Sequence, residues 1–68
     1  MAFELKVEIE QEDDGRWIAE VVELPSVLAY GQTRDEAVSR AEAIALRVIA
    51  DQIEARHEPA HHLTFACA

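Results

Sequence analysis

Acidic residues are concentrated at the start of this 68-residue chain. Paired carboxylates can bind Mg²⁺ or act as a general acid and base. Here the glutamates alternate with apolar residues, which is typical of the solvated face of a strand, and the aspartates precede a glycine, as in a turn. We therefore expect neither a metal site nor a catalytic site among them. The residues are Glu4, Glu8, Glu10, Glu12, Asp13 and Asp14.

Three histidines and the single cysteine lie near the end of the chain. His57, His61 and His62 do not have the spacing of a complete zinc site, and adjacent residues of a strand point to opposite faces. Cys67 is penultimate, in a region where chains fray, so a Cys–His nucleophile would lack a fixed geometry. The sequence therefore predicts no metal, no cofactor and no enzymatic activity.

The charge balance is strongly acidic, with a formal net charge of −8 from 14 acidic residues against 6 Lys and Arg. Binding to nucleic acids or anionic membranes requires a cationic surface, so we expect neither. A basic protein is a better-matched partner, because complementary fields speed and select encounters. The same charge could equally serve only to keep a small protein in solution, and composition does not separate these two interpretations.

The length predicts one small domain spanning residues 1–68. Such a domain buries only about 60% of its unfolded surface and is marginally stable alone, so we expect a homodimer or a larger assembly. One cysteine cannot form an internal disulfide, which fits a reducing compartment. We identify neither a signal peptide nor an apolar stretch of about 20 residues. These observations predict a cytoplasmic protein.

Two strands and a hairpin are predicted near the N-terminus. Residues 3–10 alternate between apolar and charged side chains, as in a strand with one buried face. Residues 12–16 have the composition of a hairpin loop. Pairing Glu12 with Arg16 across this loop places the apolar residues of both strands on one face. The pairs in this register are Val7 with Val21 and Ile9 with Ala19.

The same register leaves Ile18 and Val22 on the opposite face of the sheet, beside Lys6, Glu8 and Glu20. One interpretation is that these two residues are scattered surface hydrophobes, which are common. The other is that a second chain covers this face. The sequence leaves both open.

The remaining elements are predicted from a proline that ends a strand and from residues that can cap a helix. Pro25 ends the second strand, and residues 27–30 form a short strand suited to a sheet edge. Thr33 can cap a helix, and Glu36 can reach back to the Thr33 N–H as in a capping box. The helix is predicted over 34–56, and alternation predicts a last strand over 61–67.

The predicted fold is α+β with the order β-β-β-α-β. The first three strands form an antiparallel meander, and the helix is a crossover on one face of the sheet. A right-handed crossover adds the last strand beside the first, giving the sheet order 3-2-1-4.

The predicted helix carries two apolar stripes. A core-facing stripe is expected from the helical periodicity, with Ile49 at its border. A second stripe, formed by Leu46, Ile49 and Ile53, is either the edge of a wide core face or a contact with a second copy or a partner. The core-facing residues are Ala37, Ala41, Ile44, Ala45 and Val48, and Val38 lies with Ile49 at their border.

Several short motifs are informative in combination. They are Glu8-x-Glu10, Asp13-Asp14-Gly15, Trp17-Ile18-Ala19-Glu20-Val21, Glu23-Leu24-Pro25 and Ala29-Tyr30-Gly31-x-Thr33-x-x-Glu36-Ala37. In this order and spacing the chain resembles the HicB-type antitoxin family over nearly its whole length. The resemblance implies a partial RNase H-like fold without working catalysis. It also implies a protein that binds and blocks a small basic mRNA-cleaving toxin of the HicA type, usually as a homodimer or larger assembly.

Two departures from the family pattern qualify this expectation. Ser26 replaces the glycine that usually follows Leu-Pro. Family members often carry a C-terminal DNA-binding module, which we do not expect in residues 1–68, so operator binding is not implied. The alternative function is a stand-alone oligomeric structural or regulatory domain without a toxin. The hypothesised partner or oligomer contacts are Leu46, Ile49, Ile53, Ile18, Val22, Glu8 and Glu20.

Overall fold

A mixed sheet of four strands and one helix make up the computed structural model, which describes residues 1–67. The elements are β1 (Ala2–Gln11), β2 (Trp17–Val21), β3 (Leu28–Gly31), α1 (Arg34–Arg56) and β4 (His62–Cys67). The sheet order is β3-β2-β1-β4, with β4 parallel to β1 and the other neighbours antiparallel. The predicted fold class, element order and helix bounds are confirmed. No helix among the described residues combines the length and apolar composition that crossing a bilayer requires.

The β1–β2 hairpin has the predicted register, with Val7 opposite Val21 and Ile9 opposite Ala19. Gly15 adopts a φ of 92°, a conformation that favours glycine. Asp14 accepts hydrogen bonds from the backbone N–H (3.0 Å) and Nε (2.8 Å) of Arg16. These bonds, chiefly the one from the backbone N–H, hold the pKa of Asp14 below its usual value. Asp14 therefore has a local role in the turn.

The strands are staggered along β1. Residues 7–11 of β1 pair with β2, whereas residues 2–7 pair with β4. The β2–β3 pair therefore lies beside one end of β1, and β4 lies beside the other. This stagger gives the molecule an elongated shape of 43 × 18 × 17 Å.

The core lies between the sheet and one row of helical residues. Ala37, Ala41, Ala45 and Ile49 are the buried helical residues. They recur every four positions, and three of the four have only a methyl side chain, so the helix packs close to the sheet. The helix packs mainly over β2 and β3 and makes few contacts with β1. The buried sheet and loop residues are Leu5, Val7, Ala19, Val21, Val27 and Ala29.

The packing shows that the position predicted for Ile49, at the border of the core-facing stripe, was wrong. Ile49 is 3% exposed and belongs to the core, whereas Ile44 and Val48, which were expected at its centre, are half-buried. An α-helix has about 3.6 residues per turn, so a row with a four-residue spacing winds slowly around it. The buried row follows this drift from Ala37 to Ile49.

The capping box at the start of α1 is formed with one change of partner. Thr33 Oγ1 accepts a hydrogen bond from the Glu36 N–H at 3.1 Å, as predicted. Glu36 Oε1 accepts from the N–H of Gln32 at 3.0 Å, one residue before the Thr33 N–H that we expected. Both bonds fix the direction in which the helix leaves β3.

The strand–helix junction is closely packed at Gly31. A Cβ atom on this buried residue would lie 2.5 Å from the backbone nitrogen of Ala37 and 3.0 Å from its Cα. Backbone atoms of a capped helix cannot move aside as a flexible side chain would. The junction therefore requires a residue without a side chain.

We predict that Gly31→Ala destabilises the fold by about 1–3 kcal/mol, because the added methyl group overpacks the junction. Urea unfolding followed by circular dichroism measures this change. A Gly31→Ser variant introduces the same Cβ and should lose at least as much stability. Wild-type stability in both variants would contradict the close approach of helix and strand.

Candidate functional site

The sheet face opposite the helix is not covered by any element within residues 1–67. Because Val7, Ile9, Ala19 and Val21 point towards the helix side, the residues between them point outwards. Four outward residues of β1 and β2 form a group that we call the acidic patch. They are Glu8, Glu10, Ile18 and Glu20.

The acidic patch contains a like-charge pair. Glu8 lies directly opposite Glu20, and Glu10 lies opposite Ile18. Like charges directly opposite each other destabilise a sheet. The two ion pairs formed within the described chain join Arg16 to Asp14 and Arg40 to Glu36, so neither involves the patch. No ion pair within the described chain relieves the repulsion between Glu8 and Glu20, although Lys6 lies on the same face two residues before Glu8.

The geometry of the patch suits a basic side chain. Its four residues line a shallow cleft of about 120 Å³, in which Ile18 is half-buried and the glutamates are exposed. Lys and Arg combine an aliphatic stem with a cationic head. The stem can pack on Ile18 while the head forms charge-assisted hydrogen bonds with the carboxylates.

Apolar side chains continue the outer face beyond the patch. Ile18 pairs with Tyr30, and Glu20 pairs with Leu28. Tyr30 and Leu28 are both exposed, as is Val22 just after the end of β2. Aromatic side chains are enriched at protein interfaces, whereas Glu is depleted there, so a covered face and scattered surface hydrophobes both stay predictions.

The structure divides the predicted contact residues between two surfaces. Glu8, Ile18 and Glu20 come together in the acidic patch, and Val22 lies nearby on the same face. Leu46 is exposed and Ile53 is half-buried, but both belong to the helix layer on the other side of the sheet. Ile49 lies in the core and is not accessible to a partner of the folded chain.

A second depression, which the sequence analysis missed, lies between β3 and the helix. It has a volume of about 460 Å³ and includes Arg40 and Arg47. Arg40 Nη1 donates to the Tyr30 carbonyl at 2.9 Å and lies 3.2 Å from Glu36 Oε1. The seven-residue spacing of the two arginines was the available signal. Their charge makes this groove a poor site for a basic protein.

The other chemistry-bearing residues do not assemble into a site. Among residues 1–67, no group of three or more His, Cys, Asp or Glu side chains is arranged to hold a metal ion. His61, His62 and Cys67 are all exposed. The acidic patch is therefore the surface with the most specific chemistry.

Comparisons with protein-family models, with curated proteins and with solved structures find no significant match to this chain. The fold and the patch together define a small α+β module with a bare and acidic sheet face.

The like-charge pair leads to a prediction about stability. Glu20→Gln should stabilise the isolated protein by about 0.2–1 kcal/mol, because it removes the repulsion with Glu8. The gain should shrink from 0.1 M to 1 M salt, as the Debye length falls from about 10 Å to about 3 Å. Chemical unfolding at both salt concentrations measures the difference.

Glu4→Gln is the matched control. Glu4 is an exposed glutamate on the same face of β1, but its partner is Thr64 of β4. If the two variants change stability equally at both salt concentrations, the gain comes from net charge and not from the Glu8–Glu20 pair.

Proposed function

We propose that this chain is a protein-binding module of the HicB antitoxin type, which binds and neutralises a small basic HicA-like mRNA-cleaving toxin by direct contact. The observation that carries this proposal is the acidic patch, where Glu8 opposes Glu20 beside the half-buried Ile18 on a bare sheet face. The module would act by stoichiometric binding, without a cofactor or catalysis of its own. Its place of action would be the cytoplasm, where mRNA is cleaved.

Electrostatics favours a basic partner over other ligands. The chain carries a net charge of −8, so a cationic protein is attracted from a distance and then meets the patch. A lysine or arginine placed between Glu8 and Glu20 removes a repulsion that exists in the free protein. Ile18 offers an apolar contact beside the carboxylates. The Tyr30 ring has one face occupied by the Arg16 guanidinium, 4.7 Å from the ring centroid, which leaves its other face and its edge for a partner.

The motifs behind the family resemblance have a structural role in this chain. Gly31, Thr33 and Glu36 form the tightly packed and capped junction between β3 and α1. This junction sets the position of the helix and leaves the outer face of the sheet free. The motifs therefore support a shared scaffold, while the patch supports the basic partner.

The alternative function is a stand-alone oligomeric structural or regulatory domain without a toxin. The exposed Leu46 and the half-buried Ile53 on the helix favour some association that does not depend on charge. The two functions differ in whether a basic partner exists.

The decisive experiment uses the product of a neighbouring reading frame that encodes a small basic protein with a catalytic histidine. We expect the two proteins to co-purify and the complex to lose RNA cleavage. In calorimetric titrations at 0.15 M salt, Glu8→Lys and Glu20→Lys should each weaken binding more than tenfold. Coupling energies of close interfacial charge pairs are about 1.5–7 kcal/mol.

Glu54→Lys is the matched control, because Glu54 is an exposed glutamate on the helix and its replacement changes the net charge equally. It should leave the affinity nearly unchanged. Equal weakening by all three variants would show that only net charge matters. If no basic protein encoded by a neighbouring reading frame binds, the proposal of a toxin partner is rejected. That result favours the stand-alone oligomeric domain.

A further inference from the structure

Strand β3 forms one edge of the four-stranded sheet. The direction of its backbone groups follows from its pairing with β2, because the Val21 N–H donates to the Val27 carbonyl at 3.0 Å. Hydrogen-bonded and non-hydrogen-bonded positions alternate along an antiparallel pair. Leu28 and Tyr30 are therefore non-hydrogen-bonded positions, and their backbone N–H and C=O groups point away from β2.

The helix already occupies part of this edge. Arg40 Nη1 donates to the Tyr30 carbonyl at 2.9 Å, and Glu36 Oε1 accepts from the Gln32 N–H at 3.0 Å. Within residues 1–67, no strand or side chain pairs with the N–H and carbonyl of Leu28 or with the Tyr30 N–H. Three neighbouring main-chain groups are therefore free to bond an added strand.

The depression between β3 and α1 lies directly beside these free groups, and we call it the arginine groove. It has a volume of about 460 Å³. Its lining includes the half-buried Ala43 and Ile44, and Leu28, which is 40% exposed. Recognition by strand addition uses this combination: main-chain bonds to a sheet edge supply affinity, and adjoining surfaces for alternate side chains supply specificity. The groove therefore suits an extended peptide.

Arg47 supplies the unpaired charge of the groove. It is exposed and lies seven residues after Arg40, about 10 Å further along the helix axis. Among residues 1–67 its guanidinium forms no hydrogen bond or ion pair, even with Asp51 one turn later. Arg40 is already bound to Tyr30 and Glu36. Since arginine can bind a carboxylate through two parallel hydrogen bonds, the groove favours a ligand with an acidic side chain at Arg47.

The overall acidity of the chain limits how acidic this ligand is. On the same flank of the helix, Glu36 is paired with Arg40, whereas Asp51 and Glu54 lie beyond Arg47. At 0.15 M ionic strength the Debye length is about 8 Å, so exposed charges further away are largely screened. A strongly acidic peptide would still be repelled by a chain with a charge of −8. One or two acidic side chains among apolar ones therefore fit best.

We propose that the edge of β3 and the arginine groove bind an extended segment of another protein, which adds to the sheet as a further strand and places an acidic side chain on Arg47. The segment is apolar where it crosses Ile44. Arg40 keeps the Tyr30 carbonyl closed, so the added strand is anchored by both main-chain groups of Leu28 and by the Tyr30 N–H. The inference goes beyond the proposed function, because it requires neither the acidic patch nor a basic partner.

The peptide Val-Glu-Val-Glu-Val, acetylated and amidated at its ends, tests the proposal on the full chain. In an extended conformation its glutamates share one face and its valines share the other. In nuclear magnetic resonance titrations up to 1 mM peptide at 0.15 M salt, we expect saturable binding with the largest shifts at the amides of Leu28 and Tyr30. The uncharged Val-Gln-Val-Gln-Val is the matched control and should bind about fivefold more weakly, the upper end for an exposed ion pair.

Arg47→Ala tests the charge. It should weaken binding of the glutamate peptide about fivefold and leave binding of the glutamine peptide unchanged. Arg56→Ala is the matched control, because Arg56 is also an exposed helical arginine but lies two and a half turns after Arg47, on the opposite side of α1. It should change neither affinity.

Leu28→Pro tests the main-chain bonds. It removes the outward N–H, which an edge strand tolerates, and it should abolish binding of both peptides while circular dichroism shows a folded chain. Leu28→Ala keeps the N–H and should retain binding.

Absence of binding up to 1 mM peptide overturns the proposal, and so do shifts that map to the acidic patch and not to Leu28 and Tyr30. Equal affinity for the two peptides, or an equal loss in Arg47→Ala and Arg56→Ala, removes Arg47 from the site and overturns it as well. Undiminished binding to a folded Leu28→Pro variant overturns strand addition. Because the peptides probe only the edge of β3, none of these results bears on the basic partner.

Discussion

The close contact between the helix and the sheet determines most of the structure. Gly31 has no room for a Cβ beside Ala37, and the buried alanines keep the helix low over β2 and β3. A helix is about 10 Å in diameter, and neighbouring strands are about 4.8 Å apart, so one helix covers about two strands. The edge strand β4 is therefore the least covered on the helix side, where Leu63 and Cys67 are exposed and Phe65 is half-buried, whereas Leu5 and Val7 of β1 remain buried.

This arrangement leaves two surfaces of different chemistry. The outer face of the sheet combines carboxylates with Ile18, which suits a cationic partner. The groove between β3 and the helix contains Arg40 and Arg47, so it does not suit one.

The sequence predicted the elements better than their relative placement. Strict alternation in β1 and the hairpin loop defined the register, and Thr33 with Glu36 defined the start of the helix. Ile49 was misplaced because the buried row drifts around the helix, which a fixed angular sector does not describe. β2 pairs with one end of β1, and β4 pairs with the other. Where β4 begins to pair depends on how far the helix and its connections carry the chain, which the sequence pattern does not give. The seven-residue spacing of Arg40 and Arg47 was visible in the sequence, but the β3 wall of their groove could not be located without the packing of the helix.

An unfavourable feature of the isolated chain lies on its open outer face. The Glu8–Glu20 pair repels, and neither side chain belongs to the core. A ligand that binds only the folded state stabilises it by RT ln(1 + [L]/Kd), or about 2.7 kcal/mol at a concentration of 100 Kd. For a domain of this size, such a gain is a substantial fraction of the total stability. A partner that relieves the repulsion would therefore also help to keep the chain folded.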